Sequence, residues 1–180
     1  MRILIDANVL YPTILREIVL GCASAGLFEA RWSARIVEEW ARAAAKLSPE
    51  QEIWARGEAA AANARFPQAL VRVPEDLANR LWLPDPNDVH VLAAAIAGHC
   101  DAILTMNAQD FPRGLLAEEG LQRLDPDNFL LGLADTDRAA VLAVVEASVA
   151  EAKRLSGNED WTVRSILKKI RMNRLAKALG

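Results

Sequence analysis

Residues 1–10 read MRILIDANVL, and the fold turns on how that stretch is read. Ile3, Leu4 and Ile5 form an unbroken apolar run. That pattern suits a strand covered on both faces, as in a parallel sheet, rather than one with a wet side. Asp6 ends the run at once and Asn8 follows. A carboxylate placed there either caps a turn or stands where the protein works, because ligands of open parallel sheets bind beyond the carboxyl ends of the strands.

Working outward, helical and strand-like stretches alternate. Pro12 suits the start of a helix running to about Ala25, where Gly26 stops it. Ser33 caps a helix through Lys46, and Ser48-Pro49 opens another that ends near Phe66-Pro67. Residues 70–73 (LVRV), 101–105 (DAILT) and 121–124 (LQRL) read as short strands. Asp85-Pro86-Asn87-Asp88 reads as a turn leading into a helix over Val89–Gly98. Beyond Asp125-Pro126 the pattern predicts helices at about 127–133, 137–154 and 161–178, the last two separated at Ser156-Gly157-Asn158. This alternation predicts an α/β fold, a central parallel sheet between helical layers, followed by a helical C-terminal extension.

The chain of 180 residues is 52% hydrophobic, enough for one sizeable core. Its formal charge is −3, which does not advertise a nucleic-acid binder. The charge is uneven, however. Residues 151–180 carry eight Lys/Arg against three acids, so a basic tail follows an acidic body. Two cysteines, Cys22 and Cys100, supply neither a disulfide framework nor zinc-ligand spacing. No basic segment with an apolar core opens the chain, and the apolar run at 91–98 is too short to span a bilayer. The expectation is a soluble cytoplasmic protein with no membrane association.

The acids then gather on the predicted frame. Asp6 follows the first strand, and Thr105, Asn107 and Asp110 follow the DAILT strand. Asp88 opens the helix before that strand, and Glu39 lies in the helix after Ser33. Each has a structural alternative: Asp88 as a helix cap, Asp110 as a turn residue, Glu39 as an exposed helix charge for which Glu38 is the better candidate. Carboxylates brought together repel unless a cation neutralises them, and hard oxygen donors favour Mg²⁺ or Mn²⁺. With only His90 and His99 present, such a site needs no Ser-His-Asp chemistry.

Four ordered blocks carry a resemblance: DANVL (6–10), WSARIVEEW (32–40), LPDPNDVHVLAAAI (83–96) and TMNAQDFP (105–112). Together they resemble PIN domains, in particular bacterial VapC-type toxins with a helical C-terminal extension. The resemblance implies a PIN nuclease domain over residues 1–128 and a helical extension over 129–180. It implies a metal-dependent endoribonuclease using Mg²⁺ or Mn²⁺. Asp6, Glu39 and Asp88 match the family's acids, and Asn107 stands where many relatives carry a fourth. Asn107 or Asp110 completes the set, so the implied metal ligands are Asp6, Glu39, Asp88, Asn107 and Asp110. Asn8 and Thr105 are implied to orient them. The implied partners are an RNA substrate and an antitoxin protein, with a homodimer also in view.

In the tail, Val163, Ile166, Ile170 and Leu175 fall near helical spacing. Their helix is either packed with its cations in water or guides RNA, with Arg35, Arg42, Lys168 and Arg171 as candidate phosphate contacts. The acids also admit other readings. A phospho-receiver or a haloacid-dehalogenase-type phosphatase needs a downstream lysine, and none occurs between Lys46 and Lys153. A catalytically weak PIN-like scaffold that only binds RNA or protein stays open because of Asn107, as does a PIN nuclease with a DNA or RNA-processing substrate.

Overall fold

The computed structural model describes residues 1–180. In chain order the elements begin with β1 (Arg2–Ile5), α1 (Ala7–Leu10), α2 (Thr13–Ser24), β2 (Glu29–Ser33), α3 (Ala34–Ala45), α4 (Pro49–Arg65) and β3 (Leu70–Val71). There follow α5 (Val89–Ala97), β4 (Ala102–Leu104), α6 (Arg113–Glu118), β5 (Gln122–Leu124), α7 (Pro126–Thr136), α8 (Arg138–Ser156), α9 (Val163–Lys169) and α10 (Asn173–Leu179). Two 3₁₀ turns, Leu77–Arg80 and Pro86–Asp88, precede α5. The α/β class with a central parallel sheet and a helical C-terminal extension is the one the chain adopts.

Two compact units form, and neither is continuous in sequence: Met1–Tyr11 with Phe28–Leu124, and Pro12–Leu27 with Asp125–Gly180. A single cut after residue 128 has no place for the excursion of residues 12–27. That segment groups with the C-terminal residues because α2 packs on α8.

The first unit holds a five-stranded sheet of order β3-β2-β1-β4-β5, with every neighbouring pair parallel. The chain builds outward from β1 on one side, then crosses to add β4 and β5 on the other. The crevice beyond the ends of β1 and β4 is therefore the switch point where doubly wound sheets bind ligands. Ile3, Leu4, Ile5, Ala102, Ile103 and Leu104 are fully buried, which is why these strands read as unbroken apolar runs. Helix α5 (VHVLAAAIA) is apolar nearly all round and packs against β1, β2 and β4. Trp32 is buried, with its indole N–H donating to Asn63 Oδ1 at 2.8 Å.

One strand escaped the sequence reading. Glu29–Ser33 (EARWS) is β2, where the reading placed no element. Its charges alternate with buried Ala30 and Trp32, the period-2 pattern of a strand. The short helices α1 and α6 were likewise not expected. The expected caps of α3 and α4 are present: Ser33 Oγ accepts from Ile36 N and Ser48 Oγ from Gln51 N, each at 3.2 Å.

In the second unit α8 packs against α2, α7 and α9, and α10 against α7 and α9. Gly157, at φ +66°, ends α8 in the left-handed conformation that glycine adopts freely. The tail expected as one helix over 161–178 is two. Arg171 takes φ +63°, and the Asp127 carboxylate accepts from Arg174 N at 2.9 Å and Leu175 N at 3.0 Å. A carboxylate on another helix thus supplies the missing cap and starts α10 afresh. Ile166, Leu167 and Leu175 are buried, while Lys168, Lys169, Arg171, Arg174 and Lys177 are exposed. No helix is long and apolar enough to cross a membrane.

Candidate functional site

Where β1 and β4 end side by side, the backbone brings Asp6 and Thr105 together, and Asp6 N donates to Leu104 O at 3.0 Å. Asp6 is 6% exposed, and Oδ2 of its carboxylate accepts from Thr105 Oγ1 at 2.7 Å and Asn8 Nδ2 at 2.6 Å. Asn8 Nδ2 also donates to Thr105 Oγ1 at 3.1 Å, and Asn8 Oδ1 accepts from Met106 N at 3.0 Å. This closed network fixes the carboxylate's direction before any ligand arrives. Burial raises the Asp6 carboxyl above its ordinary value; the Thr105 hydrogen bond works against that rise, and Glu39 adds to it.

Across the crevice, Asp88 occupies the residue before α5 yet makes no capping hydrogen bond. Capping falls instead to Asp85, whose Oδ1 accepts from Asn87 N at 2.8 Å. Asp88 Oδ2 accepts from Asn107 Nδ2 at 3.3 Å, and the same nitrogen donates to Asp110 Oδ2 at 2.6 Å. The Asn107 amide N–H₂, rather than its carbonyl, therefore faces the acids. Carboxylate oxygens of Asp85, Asp88 and Asp110 all lie within 4.8 Å of one another. Burial first, then the charges of Asp6, Asp85 and Asp110, push the Asp88 carboxyl up to about 6. So much negative charge in one crevice raises proton affinity, and a cation would relieve the same repulsion.

Glu39 Oε1 stands 2.7 Å from His90 Nε2 and 3.5 Å from Arg35 Nε. The His90 contact is an ion-pair distance without hydrogen-bond alignment, and neither buried ring nitrogen has a hydrogen-bond partner. Glu38, one residue earlier, belongs to a different arrangement. It pairs with Arg56 at 2.8 Å and Arg42 at 3.0 Å, and hydrogen bonds from Arg56 and then Arg42 hold it down to about 2. Arg42 thus pairs with a surface carboxylate. Lys168 and Arg171 lie on the exposed side of the second unit's tail.

Asp6, Asn8, Asp88, Thr105, Asn107 and Asp110 are joined by hydrogen bonds or by mutual electrostatics, and Glu39 reaches Asp6 electrostatically. The tight carboxylate trio does not include Asp6 or Glu39. Its third member, Asp85, was absent from the sequence expectation because a turn explained it. The available signal was a second acid three residues before Asp88. His90, two residues past Asp88, borders the site through Glu39, a role the sequence reading does not give it. The donors fit a hard divalent cation: oxygens sharing one such ion at about 2.1–2.5 Å lie within about 4–5 Å of one another.

A parallel sheet with a crevice of acids beyond its switch point, three of them close enough to share one hard cation, sets the class: an α/β protein with an acidic crevice at its switch point. The family model described as PIN domain matches residues 2–109, and the chain belongs to that family. It is 36% identical over 66 residues to a Mycobacterium tuberculosis protein named "Putative ribonuclease VapC50". That alignment covers 34% of this chain and 39% of the relative, so the chain spans well under half of that relative's length. No solved structure matches the chain.

Proposed function

We propose that this chain is a Mg²⁺- or Mn²⁺-dependent endoribonuclease, the toxin of a toxin–antitoxin pair acting in the cytoplasm. The observation that carries the reading is the crevice beyond β1 and β4, where Asp6, Asp88, Asn107 and Asp110 converge and Asp88 is pushed up to about 6. Family membership and the VapC50 similarity support the nuclease chemistry.

Asp88, Asp110 and Asp85 would hold the cation, with Asp6 and Glu39 completing the negative field and Asn107 adding a neutral donor or carbonyl. The cation, when bound, supplies charge to a phosphate oxygen and lowers the pKa of a coordinated water. The chain's own residues do the rest. Asn8 and Thr105 hold Asp6 in one direction. A carboxylate of the set takes the proton of the attacking water. Arg35 is exposed beside Glu39 and steadies the substrate's phosphates. The reaction is hydrolysis of an RNA phosphodiester, leaving a 5′-phosphate and a 3′-hydroxyl. Arg42, Lys168 and Arg171 add phosphate contacts. An antitoxin protein restrains the enzyme, and two copies of the chain form a homodimer.

The test is cleavage of a pool of structured RNAs by the purified chain in Mg²⁺ or Mn²⁺ against EDTA, with Asp6→Asn in parallel. Metal-dependent cleavage that falls at least ~100-fold in the variant is the expected result. RNA binding without cleavage by either protein would replace this reading with a binding-only scaffold.

A further inference from the structure

A pocket of about 380 Å³ opens in the first unit beside the acids. It is lined mainly by apolar atoms, Ala78 and Ala93 among them, with Ser33, Arg35, Arg72, Glu75 and His90 as its polar residues. Two of these tie it to the site. His90 Nε2 and Arg35 Nε approach the same Glu39 oxygen, at 2.7 and 3.5 Å. The pocket is therefore one side chain away from the candidate catalytic carboxylates. His90 is only 8% exposed; its Nε2 faces Glu39, while its Nδ1 has no partner. A buried polar group left without a partner is costly, and a ligand that meets it recovers that cost.

The chemistry of the lining selects an occupant. The volume falls within the range of small-ligand pockets, which are mostly apolar with a few placed polar groups. Two arginines suit a phosphodiester, and Arg72 is exposed and unpaired. Apolar walls suit the faces of an unstacked base, the form in which single-stranded RNA is read. Glu75 can accept from an exocyclic amino group, as carboxylates do from cytosine N4. On the basis of the ribonuclease reading above, we propose that this pocket is a nucleotide subsite. It seats one unstacked base of the RNA next to the scissile phosphate and favours bases that carry an exocyclic amino group over uracil.

The experiment is cleavage of a random-sequence RNA pool by the full chain in Mn²⁺, with every cut site sequenced. The expected wild-type pattern depletes uridine at one fixed position flanking the cut. Ala78→Phe, which fills the pocket, flattens that preference and lowers kcat/KM about tenfold. Glu75→Gln admits uridine at the position, and Arg72→Ala raises KM while leaving kcat near wild type. Glu75 is exposed, so its variant tests the proposal even if the Phe variant does not fold. Unchanged cut patterns and KM in folded variants would overturn the subsite and leave the pocket to a protein segment. A wild-type chain that cleaves no RNA would overturn the ribonuclease reading itself and the subsite with it.

Discussion

Asp6 and Asp88 are carboxylates whose surroundings disfavour the charged form in the absence of a cation. Both have carboxyls raised by burial, Asp88 to about 6. An acid that binds its proton more tightly folded than unfolded loses stability as pH rises from its unfolded value, about 3.9, through its folded one. The exposed carboxylates Glu29, Glu38 and Glu151 are shifted down, so the stability they contribute is fully present and constant above about 4.5 and is lost only as pH falls further. In EDTA, therefore, the Tm of wild type relative to Asp88→Asn should fall as pH rises from about 5 to about 7. Saturating Mn²⁺ should remove most of that difference. A relative Tm that is flat in EDTA across this window would contradict the electrostatics described.

Asn107 gives a second prediction at the same scale. Its amide nitrogen bridges Asp88 and Asp110, giving partial positive charge where a cation would give a whole one. Asn107→Asp removes the donor and adds a carboxylate. In EDTA the variant should melt below wild type, and titrated Mn²⁺ should raise its Tm by more than it raises that of wild type. Equal metal-induced shifts in the two proteins would separate Asn107 from the metal site.

Among the elements, the close approach of α2 and α8 sets the tightest tolerance. A Cβ on Gly21 would lie 2.5 Å from Val144 Cγ1. Gly21→Ala should lower stability by about 1–3 kcal/mol, the usual effect of overpacking a stiff contact. Adding Val144→Ala should recover part of that loss, a coupling that chemical denaturation of the single and double variants would reveal. The elements also differ in how legible they were. β1, β4 and α5 are buried on nearly every side, so composition alone marked them. β2 is hidden because Glu29 and Arg31, on its other face, break the apolar run in sequence, and Ser33 reads as a cap. The break inside the tail depends on Asp127, far away in sequence, and no local pattern in 161–178 signals it. The same division holds in the site. Asp6 stood out because nothing local explains a carboxylate there. Asp85 did not, because its bond to Asn87 N makes a sufficient turn.

For the whole molecule, the governing property is charge. On the ribonuclease reading proposed above, a body rich in acids must admit a polyanion, and the residues after 150 carry an excess of Lys and Arg. RNA binding by this chain should weaken with salt, and each phosphate contact removed should reduce the log–log slope by about 0.7 on a single strand. Lys168→Gln with Arg171→Gln, measured by fluorescence anisotropy at several salt concentrations, should show a lower slope. An unchanged slope would leave these cations as a solvated helix surface.

The discontinuous second unit has a consequence for synthesis. On the ribosome, the segment of α2 leaves the exit tunnel long before α8, the helix it packs on. The strands of the sheet are all available once β5 has emerged, and domains commonly fold as they are completed. During that interval the nascent chain carries Leu15, Ile18, Val19 and Cys22, all buried in the finished protein, without the α8 contact. A polypeptide released early, short of α8, would keep that apolar helix uncovered, a ready substrate for chaperones and proteases.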